Sequence, residues 1–410
     1  MLSLDLLEAL PMILTTPFHE RLAPYNRTGL WSHWSGHLAA TKYQMSEKVE
    51  YFAVRNSAGL IDTSPLYKYR ITGGDAERFL RGVLARDVGG CRDGQAQYTL
   101  WCDDRGHVIE DGVVLRFHSD EFLLTSAEPN LAYFQDLVGG MKVEIRDVSA
   151  DYGSLAVQGP RSRAILSSIM PDVATLPFFH HASAMVGDAA VTVSRTGYTG
   201  DLGYEVWVEA RDAGAVFDRI VEASAGQGVI PVGQNALLML RIEAGLVLIG
   251  VDFHASRFAF TDEERSSPIE LGFGWMFKDI ESSDRPFIGR SAIRRELADK
   301  SSRWKMVGLV VDWEDWDRRY RDGGLIPPKD ETPVVGEMML YDDDGARVGY
   351  TTSFMYSPAL QRHIAMARGR PHRGAAGSAV NLEVTINHRY QTVAATVARP
   401  PLFNPSRKTA

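Results

Sequence analysis

"SRTGYTGDLGYEVWVE", residues 194–209, places Gly197, Gly200 and Gly203 between two alternating runs, 189–194 and 204–209. Glycine has no Cβ, so it admits positive φ and close approach of a ligand or another backbone. On a strand, residues 204, 206 and 208 share one face, and Glu205, Trp207 and Glu209 share the other. Two roles fit this pattern. One is a long hairpin turn with a polar outer face. The other is a ligand-lined turn, in which Tyr198 offers a ring for stacking. Glu205 would then offer two acceptor oxygens to a ring N–H and a neighbouring amino group.

Working outward, "RDAGAVFDRIVEASAGQG" and "GQNALLMLRIEAG" carry helical spacing, as does "GPRSRAILSSIM" before the motif. "SEKVEYFAVRNSAG" has a helix start at Ser46 and a glycine stop at Gly59. "GDAERFLRGVLARDVGG" reads as a helix with Asp75 as N-cap and Gly89 closing it. The stretch 95–126 reads as three strands, turned at Asp103-Asp104-Arg105-Gly106 and again at His118-Ser119-Asp120. Past Lys300 only short strands follow, consistent with a small barrel, and "EDWDRRYRDGGLIPPKDETP" among them reads as a surface insertion. The predicted organisation is α+β, with an α/β region over residues 1–300 and a β-barrel domain over 301–410.

The 410 residues are enough for a large buried core, and 45% are hydrophobic. A net charge of −8 gives no basic footprint for nucleic acid. The only cysteines, Cys91 and Cys102, form neither a disulfide framework nor a zinc motif, so a reducing, cytoplasmic setting is expected. "MLSLDLLEALPMIL" is apolar but carries Asp5 and Glu8 without a basic flank, and reads as an amphipathic segment rather than a signal peptide. No run is long enough to predict a membrane span.

Glu110 and Asp111 are adjacent acids in "RGHVIEDGVVLRF". On a strand they face opposite ways, so only one can point inward. Either both lie near water at a strand end, or one is an inward acid able to orient or protonate a reacting group. Tyr98, on the strand before, reads more readily as core than as site. The His180-His181 pair lacks a third spaced metal ligand, and no metal site is predicted. The nucleophile-elbow, HExxH, P-loop and dinucleotide fingerprints are all missing from the sequence.

In order, "FAVRNSAGLIDTS", "GQAQYTL", "GHVIEDGVV", "VQGPRS", "SRTGYTGDLGYEV", "LRIEAGLVLIG" and "SFMYSPALQRHIAMARG" resemble the T protein of the glycine cleavage system and its relatives. The resemblance runs over roughly residues 45 to 400. It implies a three-lobed disc that holds tetrahydrofolate in a central hole, with a C-terminal β-barrel. It implies Asp111 as the acid beside the folate's reactive nitrogens, with Glu110 in the place of the preceding acid. Tyr98, Val113, Tyr198 and Glu205 would complete the folate site, Glu205 gripping the pterin's amino edge while the glycines let the turn wrap the ligand.

Departures from the T protein are specific. Leu237 stands where that family has a folate-contacting arginine, Pro65-Leu66-Tyr67 replaces "H-M-G", and the acid pair is Glu-Asp rather than Asp-Asp. They point to a divergent member moving a methyl group from a small N-, S- or O-methyl donor to tetrahydrofolate. One alternative is a true aminomethyltransferase fed by a lipoyl carrier protein. A further alternative is a non-enzymatic folate-binding regulatory protein, although neither cysteine lies in the "K-G-C-Y-x-G-Q" motif of the iron–sulfur assembly relatives. No nucleic-acid or membrane partner is expected.

Overall fold

A computed structural model describes residues 13–329 and 332–410. The first twelve residues of the chain, and with them most of the amphipathic N-terminal segment, lie outside the described residues.

Three sheets build three lobes, as the resemblance implies. The first runs in space His181–Val186, Ala189–Ser194, Gly203–Glu209, Tyr152–Gln158, Gly59–Asp62, Ile230–Pro231, antiparallel except for its last pair. The opening motif therefore joins two neighbouring antiparallel strands, with Ser194 opposite Glu205. The second sheet runs Ala96–Cys102, Val108–His118, Glu121–Ser126, Tyr67–Thr72, Glu144–Asp147, antiparallel throughout. The third closes on itself: Arg347–Ser357, Met339–Tyr341, Ala379–Ile386, Arg389–Ala398, Lys305–Val311, Arg362–Gly369 and back to Arg347–Ser357. Closure leaves no open edge in that six-stranded barrel.

Local signals are partly overridden. Ser46 caps the helix Glu47–Asn56 by accepting from Lys48 N at 3.2 Å, but Gly59 already opens the next strand. Asp75 precedes the helix Ala76–Val83 without capping it, because its carboxylate accepts from Lys142 N at 2.9 Å. That helix stops well before Gly89: Leu84 leaves it to bridge Trp101, and Asp87 seeds a separate 3-10 turn by accepting from Gly89 N. The expected surface insertion contains a helix, Trp313–Asp322, whose Trp316 is buried in the barrel core against His363 and Phe354. It caps the barrel rather than floating on it.

The lobes are tied by buried charge. Arg55 donates to Glu243 at 2.6 Å and to Asp201 at 3.1 Å. Tyr51 donates to Glu243 at 2.6 Å, and Ser357 of the barrel does so at 2.5 Å. Arg407 closes the far side with two bonds to Asp201, at 2.7 and 2.8 Å. Helices Glu47–Asn56 and Gln234–Ala244, the 195–202 loop, the barrel and the C-terminal segment thus meet around one Arg55–Glu243 pair. Arg55→Met leaves two buried carboxylates short of their cation, so we expect a loss of about 3–5 kcal/mol in urea unfolding. A loss under about 1 kcal/mol would show that Arg407 suffices for Asp201, and the Tyr51 and Ser357 hydroxyls for Glu243.

Candidate active site

Two of the three glycines in the opening motif serve an internal side chain. A Cβ on Gly197 or Gly203 would fall 2.2 Å from Gln158 Oε1. Gln158 is fully buried, donates to the Thr196 carbonyl at 3.1 Å and the Tyr204 carbonyl at 3.3 Å, and accepts from Thr199 at 2.7 Å. Gly200 takes φ +70° while packed on Ala244 of the helix Gln234–Ala244. The expectation that these glycines wrap a ligand is corrected for Gly197 and Gly203: they make room for an amide that stitches the loop shut.

The loop so fixed presents Tyr198. Its hydroxyl donates to the Val247 carbonyl, and its half-buried ring joins an apolar cluster that also holds Trp34, Tyr98 and Phe273. From the second lobe, the Tyr98 hydroxyl donates to Asp111 at 2.9 Å while its ring tilts against Phe273, centroids 5.4 Å apart. Tyr98, Asp111 and Tyr198 therefore meet across the boundary between two lobes.

Of the two adjacent acids, Glu110 is the fully buried one and Asp111 is half-buried. Glu110 accepts from Asp111 N at 3.1 Å and Glu128 N at 3.0 Å. Burial, with the Asp111 charge beside it, pushes the Glu110 carboxyl well above the usual carboxylate range. Burial likewise raises Asp111, against the Tyr98 and Glu110 hydrogen bonds that lower it, and the nearby Asp252 raises it further. Asp252 is itself buried, paired with Arg241 at 2.7 Å.

Val113 lies opposite Tyr98 in the ladder. Its N–H donates to Thr125 Oγ1 at 3.1 Å, and its carbonyl lies 3.3 Å from the same hydroxyl as an acceptor, with a second lone pair beyond that bond. Glu205 is half-buried and makes no direct contact with the Tyr98–Asp111 pair. Its Oε2 accepts from Thr196, and the Lys68 charge lies within electrostatic reach. Burial raises the Glu205 carboxyl, opposed by Thr196 and Lys68.

Lys68 is a site residue the sequence hid. In "YKYRITG" the alternation puts it on the polar, apparently solvated face, yet both faces of that strand are covered and Lys68 is fully buried. Its Nζ donates to the carbonyls of Ser64 at 2.8 Å and Leu66 at 2.7 Å, and burial lowers its pKa to about 8. Leu237 lies beside Trp34, Asp62 and Gln234 on the wall of a small cavity, an apolar surface where the T protein has its arginine. Trp34 belongs to the hairpin Trp31–Trp34/His37–Ala40, held to the first lobe's helix by Ser32 on Gln234 and to the second lobe by Ser35 on the Ala127 carbonyl at 2.7 Å.

His180 and His181 part company: one bonds Gln95, the other the Arg116 carbonyl at 2.9 Å. Among the described residues, no group of three or more His, Cys, Asp or Glu could hold a metal ion. Cys91 and Cys102 are buried free thiols, and burial pushes Cys91 up to about 11.

Comparison with known proteins matches this architecture to two family models. The GCVT N-terminal domain covers residues 19–279, and the glycine cleavage T-protein C-terminal barrel domain covers 323–404. The chain belongs to the glycine cleavage T-protein family. Among its relatives, an aminomethyltransferase of Clostridium botulinum is 31% identical over 82% of this chain and 84% of its own length. One from Geobacillus kaustophilus is 32% identical over 83% and 86%. The trimethylamine-oxide aldolase of Ruegeria pomeroyi is 32% identical over 87% of this chain, but the match spans only 43% of that longer protein. The crystal structure of the glycine cleavage aminomethyltransferase T from Bartonella henselae superposes with a TM-score of 0.79 at 23% identity over 96% of this chain and 99% of that one, a likeness of fold.

The buried acid pair has a pH signature. A carboxyl whose folded pKa lies above its unfolded value stabilises fully below the unfolded pKa and loses that contribution as pH rises through the folded one. The parent protein should therefore lose stability on going from about pH 6 to about pH 8.5, and Glu110→Gln should lose less. Urea midpoints at both pH values test this; the same drop in both proteins would clear Glu110 of responsibility.

Proposed function

We propose that the chain is a tetrahydrofolate-dependent one-carbon transferase, moving a methyl group from a small N-, S- or O-methyl donor to tetrahydrofolate. The observation that carries this reading is the pairing of donor-hungry acids across two lobes: Asp111 with Tyr98 on one, Glu205 with a free oxygen beside the Tyr198 loop on the other. These groups suit a pterin, a flat ring edged by N–H and amino donors. Glu205 would accept from the amino edge, Tyr198 would pack on a ring face, and the Val113 carbonyl would accept at the strand. Bound there, tetrahydrofolate would supply the nitrogen that receives the one-carbon unit.

Asp111 would orient that nitrogen and hold or release its proton, a role suited to a carboxyl raised by burial. Most of the acceleration would be alignment, worth about 7–11 kcal/mol in favourable cases. Leu237 stands as an apolar side chain at the position where the T protein has a folate-contacting arginine, a departure that favours another methylated small molecule over the T protein's own substrate. The second reading, aminomethyl transfer from a lipoyl carrier protein, is favoured by the near full-length likeness to aminomethyltransferases. Among the described residues no helix is long and apolar enough to cross a membrane. We place the reaction in the cytoplasm, with no nucleic-acid or membrane partner.

Anaerobic calorimetric titration with tetrahydrofolate tests the site. Glu205→Ala should weaken binding by about 1.5–3 kcal/mol, the worth of a charge-assisted hydrogen bond. Undiminished affinity would put the pterin elsewhere. A screen of methyl donors for 5-methyltetrahydrofolate follows, with and without a lipoyl carrier, and a strict carrier requirement would favour the second reading. Asp111→Asn should depress turnover far more than affinity; unaltered turnover would remove Asp111 from the chemistry.

A further inference from the structure

The opening motif contains a hydrogen-bond chain that ends on Glu205. Trp207 Nε1 lies 3.2 Å from Ser194 Oγ, Ser194 Oγ lies 2.7 Å from Thr196 Oγ1, and Thr196 Oγ1 donates to Glu205 Oε2. Ser194 is fully enclosed, and Thr196 and Trp207 are each 4% exposed, so water is excluded from these links. Glu205 is reached from outside at its other oxygen, Oε1, which makes no hydrogen bond.

Direction in this chain is set by its first member. An indole N–H only donates. Ser194 Oγ therefore accepts from Trp207 and turns its own hydrogen toward Thr196. Thr196 accepts from Ser194 and turns its hydrogen toward Glu205. Every hydrogen is used once, and the chain needs an acceptor oxygen at its end, a part that a carboxylate fills more strongly than the carbonyl oxygen of a neutral carboxyl. A protonated Glu205 that donated to Thr196 would reverse the second half, turning the Thr196 hydrogen back on Ser194 and stranding the Ser194 hydrogen in a dry interior. Stranding a buried donor costs about 1–3 kcal/mol.

We propose that Trp207, Ser194 and Thr196 are positioning residues: a one-way donor chain that pins one oxygen of Glu205, holds it as a carboxylate, and leaves Oε1 to read the ligand. This rests on the reading of Glu205 as the group that grips the pterin, and it assigns specificity to residues that would not themselves touch the ligand. The other groups that bear on Glu205 are few. The strands on either side place the neutral Ser194 and Ala156 opposite it. Lys68 is the charge that acts on it from the second lobe, with Asp62 and Asp147 beyond, acting on Lys68.

The test uses the full chain and tetrahydrofolate across a pH series. Affinity should require anionic Glu205, and so fall as pH drops through its pKa. Thr196→Val removes the last donor, raises that pKa and should move the acid limb toward higher pH. Thr196→Ser should restore it. Trp207→Phe should shift the limb the same way by a smaller amount. At neutral pH we expect about a tenfold loss of affinity in Thr196→Val. An equal loss at every pH, or failure of Thr196→Ser to recover, would mean simple packing and overturn the proposal. The indole N–H resonance of Trp207, assigned by its loss in Trp207→Phe, gives a readout without folate. It should shift in Glu205→Gln and Thr196→Val, and an unmoved resonance would sink the chain outright. If Glu205→Ala binds folate normally while the resonance behaves as expected, the chain stands and the pterin assignment falls. If Glu205→Ala loses binding while Thr196→Val titrates as the parent does, the pterin assignment stands and the chain falls.

Discussion

Glu243 and its partners are the constraint on which the assembly depends. A carboxylate with no exposed surface accepts from Arg55, Tyr51 and Ser357, and its backbone carbonyl accepts from Leu402 and Phe403. These partners come from three separate parts of the chain: the helix Glu47–Asn56, the barrel and the C-terminal segment. Burying such a charge is unfavourable unless its lone pairs are filled, so the arrangement forms only when all parts arrive together. The same guanidinium reaches Asp201 and the Thr199 carbonyl, which places the signature loop. The Phe403 ring packs on the guanidinium at 4.4 Å and keeps water from it. The loop's conformation is thus a product of tertiary closure, and a site built on it is as rigid as the contacts between lobes.

A second buried pair extends that closure to the candidate site. Arg241 and Asp252 are both without exposure, and Asp252 is further held by Leu248 N at 2.9 Å and by the Thr352 hydroxyl of the barrel. Arg368, also from the barrel, donates to the Asp252 carbonyl at 3.1 Å. The barrel therefore does more than cap an open end. It fixes an acid whose field reaches Asp111 and Tyr198, so a packing element takes part in the electrostatics of the candidate site.

The strands, most helix cores and the barrel were legible in the sequence because they rest on local periodicity and turn chemistry. The Asp103 turn is an example: its carboxylate accepts from the N–H groups of Arg105 and His107, as the residues suggest. The resemblance drew attention to Tyr98, Asp111, Tyr198 and Glu205, and the structure brings the first three together. What stayed hidden depends on partners far away in the chain. Asp75 looks like a cap until Lys142 takes its carboxylate. Lys68 looks solvated until a neighbouring lobe covers its face. Gly197 and Gly203 look like ligand space until Gln158, from another strand, fills it. Alternation says that Glu110 and Asp111 part ways, but it cannot say which lands in the core; the N–H groups of Asp111 and Glu128, waiting for an acceptor, decide that.

Burial raises both candidate acids, and they differ in what opposes the rise. Around Glu205 the opposition is a lysine charge, itself lowered by burial to about 8, and a hydroxyl turned toward the carboxylate while Trp207 holds the far end of its chain. That environment keeps an acceptor an acceptor. Around Asp111 the opposition comes from Tyr98 and from Glu110, a carboxyl that is itself raised, while Asp252 pushes the other way. A proton bound there is shared among acids whose charged forms disfavour one another. The two carboxyl groups, on adjoining lobes, thus sit in different electrostatic surroundings, and under the proposed function the first suits recognition and the second proton transfer. The difference arises from second neighbours rather than from the acids themselves.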